Sequence, residues 1–153
     1  MASSDREPKI IQSTTIQVPV CYKHLHLIRE KVLDQASQAG LSETHSAQLE
    51  MAVDEACTNI IEHSYGGEIV PETDTPGLRV NFVQYFDRIV IEIYDQGAGF
   101  DFQRHRIVEP EQYLANRQER GLGMYIITNF VDDVDYQRGT TAGNYLRLTK
   151  LLK

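Results

Sequence analysis

The sequence predicts an α/β (α+β) sandwich, in which a mixed, mostly antiparallel sheet carries three helices on one face. Two observations lead there. Short segments near the start, middle and end of the chain alternate apolar and polar residues with the period of a half-buried strand. Between them lie three segments whose apolar residues recur at helical spacing, several of them bounded by glycine or by capping residues. At 153 residues the chain is one ordinary domain, large enough to bury a core without disulfides or metals.

Residues 1–8 are polar and read as a disordered lead-in, so the folded unit is expected over 9–153. From Ile10 to Val20 the chain is β-prone: Ile16, Val18 and Val20 alternate with Thr15, Gln17 and Pro19, and the proline favours a strand end. Leu25, Ile28, Val32 and Ala36 form a helical stripe, and Gly40 suits its C-terminal cap. Ser42-Glu-Thr-His-Ser offers N-cap candidates for a second helix running to about Ser64. After a polar loop ending Thr75-Pro-Gly77, Leu78 to Tyr94 reads as a hairpin turning near Asp87-Arg88. A long polar stretch occupies residues 101–120, with a short helix expected at Pro110 to Arg117. A third helix with Met124, Ile127 and Val131 has a glycine-marked entrance, and two strands around Gly139-Thr-Thr-Ala-Gly143 close the chain.

Composition narrows the function. The apolar runs are too short to cross a bilayer, the first residues lack the apolar core of a secretion signal, and the cytoplasm is the expected location. Net charge is −7 with scattered basic residues, which disfavours nucleic acid as a partner. It leaves ATP open, because phosphates are commonly held by backbone N–H groups at a helix start. Cys21 and Cys57 lack metal-ligand spacing and read as structural.

Three signals carry chemistry. Glu55 and Asn59 stand one helical turn apart and share a face. The buried stripe of that helix is Leu49, Val53, Ala56 and Ile60; Asn59 falls about 80–100° from its middle, on the shoulder, where a polar group can line a cleft. Asp95-Gln-Gly-Ala-Gly99 comes directly after a strand, and Gly121-Leu-Gly123 opens a helix. Each is weak alone, since the first also reads as a solvated helix edge and the second as a plain turn.

Together, in this order, they resemble the three nucleotide-binding boxes of the superfamily of gyrase-type ATPases, Hsp90 chaperones, histidine kinases and MutL proteins, over roughly residues 20–150. Within it, Glu-Ala-Cys-Thr-Asn-Ile-Ile-Glu-His-Ser-Tyr (55–65), Asp-Gln-Gly-Ala-Gly-Phe-Asp (95–101) and Arg-Gly-Leu-Gly-Met-Tyr-Ile-Ile (120–127) resemble the bacterial anti-sigma-factor serine/threonine kinases. The resemblance implies a Bergerat-type ATP-binding fold forming a single histidine-kinase-like domain. It also implies a kinase that binds a sigma factor and phosphorylates an anti-anti-sigma antagonist of STAS type, with a homodimer as the expected assembly. By the same resemblance Glu55 is the general base, Asn59 the Mg²⁺ ligand at the ATP phosphates, and Asp95 the acceptor of the adenine amino group. Gly97 and Gly99 let the backbone pass close to the base, Gly121 and Gly123 offer N–H groups to the phosphates, and Arg29 faces the partner. Residues 101–120 are then a lid, with Arg120 either a charge partner of the phosphates or a solvated arginine. A competing reading stays open: a nucleotide-sensing module that sequesters a partner without transferring phosphate. A third is an ATPase module of a larger assembly.

Overall fold

The computed structural model describes residues 7–71, 77–101 and 119–152, with the backbone alone for 119–124. Among them are β1 (Ile10–Val18), α1 (Leu25–Gln38), α2 (Glu43–Asn59), β2 (Leu78–Tyr85), β3 (Arg88–Asp95), α3 (Glu119–Phe130), β4 (Asp133–Thr140) and β5 (Gly143–Leu151). The strands form one sheet in the order β1-β2-β3-β5-β4, and each of these pairings is antiparallel.

The register shows why the sheet has one buried face. Ile16 lies opposite Val80, Val80 opposite Ile93, Ile93 opposite Leu146, and Leu146 opposite Tyr136. The next inward row runs through Phe82, Ile91, Leu148 and Val134. Side chains alternate between faces along a strand, so these rows form a continuous apolar surface. The helices add Ile28, Val32, Leu49, Val53, Ile60 and Ile127 to the same core. A slip of one residue would turn Arg79, Asn81, Glu92 and Arg147 inward, so burial fixes the register. No helix among the described residues is long and apolar enough to cross a membrane.

Local chemistry sets the helix ends. Gly40, at φ +85°, ends α1 with the paired bonds of a Schellman cap: Leu41 N–H donates to Ala36 O and Gly40 N–H to Ser37 O, both at 3.0 Å. Two residues later the Ser42 hydroxyl accepts from His45 N at 3.1 Å and starts α2. Replacing Ser42 with alanine should therefore cost about 1 kcal/mol, read as a thermal midpoint about 2–4 °C lower. An unchanged midpoint would show that water caps the helix equally well.

Three boundaries differ from the sequence expectation. β1 stops at Val18, before Pro19. α2 does not continue as an α-helix to Ser64 but changes after Asn59 into a π-helical turn over Ile60–Ser64, where Tyr65 N–H reaches Ile60 O at 3.1 Å. α3 already includes Glu119, so Gly121 and Gly123 lie inside the helix and not ahead of it. The short helix expected at Pro110 to Arg117 lies outside the described residues.

Candidate functional site

α2 packs against α1 on one side and α3 on the other. That placement closes the shoulder on which Asn59 was expected, leaving Asn59 only 6% exposed. Its Nδ2 is buried and has no hydrogen-bond partner among the described residues. Leaving such a donor unmade costs about 1–3 kcal/mol, so a buried orphan calls for an explanation. The two ends of a carboxamide are nearly indistinguishable in shape, and a turned amide would present Oδ1 to the same spot. An oxygen there suits Mg²⁺, which takes few protein ligands and completes its shell with phosphates and water. Asn59 therefore fits the metal that the sequence resemblance implies. Among the described residues no group of three or more His, Cys, Asp or Glu side chains stands close enough to hold an ion by itself.

One turn earlier, Glu55 is half-buried. Burial raises its pKa above the ordinary 4.5, and the neighbouring charges of Asp54 and Glu62 raise it further. A carboxylate with enhanced proton affinity is a better base near neutral pH. Asp54 is itself bound by Arg29 Nη1 at 2.9 Å, across the α1–α2 contact. Arg29 thus sits beside the Glu55 turn, at a partly exposed ion pair of a kind that adds little stability. Glu62 is more exposed and accepts from the Tyr22 hydroxyl at 3.4 Å. His63 is packed, its ring centroid 6.0 Å from that of Phe100.

Asp95 ends β3 and is 1% exposed. Its Oδ1 accepts from the Ser64 hydroxyl, from Gly97 N–H at 3.0 Å and from Asn144 Nδ2 at 2.9 Å. The loop after it is tied down along its length. Ala98 N–H donates to Ser64 O at 2.8 Å, Gly99 N–H to Ser64 Oγ at 2.9 Å, and Gln96 N–H to the Tyr65 hydroxyl at 2.8 Å. A Cβ on Gly97 would stand 2.5 Å from the Ser64 carbonyl oxygen, so the loop can cross the π-helical turn only with glycine there. Gly99 has φ +74°, and a Cβ there would meet Arg138 Cγ at 2.7 Å.

Ser64 and Asn144, both buried, are the residues that sequence reasoning missed. In a continued α-helix His63 would stand one turn above Asn59. The π-helical turn carries one extra residue and re-phases the residues after it by about one position, or about 100°. Ser64 consequently meets the Asp95 loop. Asn144 arrives from β5, beyond a turn to which sequence reasoning assigned no chemistry. The backbone of α3 includes Gly121 and Gly123, so both glycines lie within the helix. The side chain of Arg120 and most of the expected lid lie outside the described residues.

An antiparallel sheet under three helices, with an acid–amide pair on the central helix and a glycine loop behind a buried aspartate, defines a nucleotide-binding domain of one class. Residues 18–150 match the histidine kinase-like ATPase domain family, and the chain belongs to it. Membership in an ATPase family makes ATP its nucleotide. The chain is similar to the serine-protein kinase RsbW of Bacillus licheniformis, 31% identical over 138 residues that cover 88% of this chain and 82% of the relative. It is likewise similar to the serine-protein kinase RsbW of Bacillus pumilus, 30% identical over 141 residues, covering 90% of this chain and 84% of that one.

Proposed function

We propose that the chain is a Mg²⁺-dependent protein serine/threonine kinase that also acts as an anti-sigma factor, binding a sigma factor and phosphorylating its anti-anti-sigma antagonist. The observation that carries this reading is the buried amide nitrogen of Asn59, without a partner among the described residues, one turn from the half-buried Glu55. A pocket that only bound nucleotide would have no use for a strengthened base there. Mg²⁺, when bound, would neutralise phosphate charge, with Asn59 as its protein ligand. Glu55 takes the proton of the substrate hydroxyl as its oxygen bonds to the γ-phosphorus and ADP departs. Asp95 accepts from the adenine amino group, with Gly97 and Gly99 keeping side chains out of the base's path. Gly121 and Gly123 present N–H groups to the phosphates, and Arg120 supplies charge near them. Arg29 lies on the surface offered to protein partners: a sigma factor and an antagonist of STAS type.

The relatives' name supports the kinase half, since both are serine-protein kinases. Cytoplasmic location and a homodimer belong to the same reading. The test is ATP titration by calorimetry with and without Mg²⁺, then labelled-phosphate transfer to a candidate antagonist. Mg²⁺-dependent binding with transfer is expected. Binding without transfer to any cognate antagonist would sink the kinase half and favour a nucleotide-sensing module.

A further inference from the structure

We propose that Ser64 and Asn144 are positioning residues that set base selectivity: they hold one oxygen of Asp95 so that the other meets the nucleotide base as a fixed acceptor. The inference rests on Asp95 as the adenine contact.

A free carboxylate turns easily about its last torsion and can offer either oxygen in many directions. Asp95 is not free in this sense. Its Oδ1 receives donors from three separate places: the π-helical turn, the loop and β5. None of these bonds engages Oδ2, the oxygen left to accept.

The two side chains are themselves fixed. Ser64 has one hydroxyl hydrogen, spent on Asp95, while its oxygen accepts from Gly99 N–H at 2.9 Å and Asn144 Nδ2 at 3.3 Å. Asn144 Oδ1 accepts from Gly139 N–H at 3.0 Å, and its Nδ2 faces, besides Ser64 Oγ, two nearer acceptors, Asp95 Oδ1 and Gly97 O, each at 2.9 Å. A turned amide would set oxygen against both nearer acceptors and an NH₂ against an N–H. Only one orientation satisfies every group, and in that orientation Asn144 acts on Asp95 as a donor.

An acceptor held in one direction distinguishes bases by what they present. Adenine offers an amino group, and hypoxanthine, in inosine triphosphate, has a carbonyl oxygen at the same position. Two oxygens facing each other leave both unpaired, and a site built for a hydrogen bond discriminates strongly against such a partner. Weakening the hold on Oδ1 lets the carboxylate turn away from the carbonyl and relaxes that discrimination.

The experiment measures the affinities of ATP and inosine triphosphate for the wild type, Asn144→Ala and Ser64→Ala, with circular dichroism checking the fold. The wild type should prefer ATP by about 10²-fold. In Asn144→Ala the ratio should fall below about 10-fold, mainly through weaker ATP binding, and Ser64→Ala should move it the same way by less. Ser64→Ala removes a single oxygen and keeps the test decisive should Asn144→Ala fail to fold. A merely structural role would weaken both nucleotides equally, so an unchanged ratio overturns the inference. A wild type without preference for ATP would instead overturn the reading of Asp95 itself.

Discussion

Glu55→Gln should lower phosphate transfer by about 10²–10⁴-fold while leaving ATP affinity within about threefold. The amide keeps the size and polarity of the carboxylate and loses its ability to take a proton. A general base acts when deprotonated, so wild-type transfer should rise with pH through the Glu55 pKa. That limb lies above the ordinary carboxylate value of 4.5, because burial first, and then Asp54 and Glu62, disfavour the charged form. In Glu55→Gln the limb should vanish, and a variant that retained it would assign it to another group. Stability gives an independent check. Between the unfolded pKa and the raised folded one, the folded state binds more protons, so stability falls as pH rises through that window. Above the raised folded pKa that loss is complete. Glu55→Gln escapes it, and its urea midpoint at pH 7 should be equal to or above that of the wild type, the advantage disappearing below the unfolded pKa. Undiminished transfer would remove Glu55 from the chemistry, whatever the stability result.

The parts of this molecule that were legible in its sequence are those set by near neighbours. Gly40 and Ser42 mark the α1–α2 joint because capping acts within a few residues, and both caps form. The apolar alternation of Val80 and Phe82 against Ile91 and Ile93 gives the hairpin and its buried face together. The burial of Asn59 was not legible. The stripe of Leu49, Val53, Ala56 and Ile60 describes one contact surface, whereas α2 is flanked by two helices as well as lying over the sheet, and the flanks close over the shoulder. The π-helical turn has no sequence signature either, since one extra residue per turn leaves the local composition unchanged. Without it, Ser64 could not be recognised as a partner of Asp95. Asn144 lies 80 residues beyond Ser64 and 49 beyond Asp95, and only the β3–β5 pairing brings it to them.

Asn59→Ala should lower the affinity for Mg-ATP by about 10²-fold while changing that for metal-free ATP by less than about threefold. The contrast between the two nucleotide forms separates loss of a metal ligand from general damage to the pocket, which would affect both. A second consequence concerns the protein without nucleotide. A buried side chain cut back to alanine ordinarily destabilises a fold, because contacts are lost and a cavity remains. Here the truncation also removes a donor left unpaired among the described residues, whose burial costs about 1–3 kcal/mol. The two effects are of similar size and opposite sign, so the nucleotide-free variant should unfold within about 1 kcal/mol of the wild type, or above it. Residues kept for binding at the expense of the empty fold behave in this way. Denaturant unfolding of the free proteins and calorimetry with and without Mg²⁺ measure the two sides. A variant destabilised by more than about 2 kcal/mol, with Mg-ATP binding intact, would mark Asn59 as a packing residue whose amide finds its partner in water.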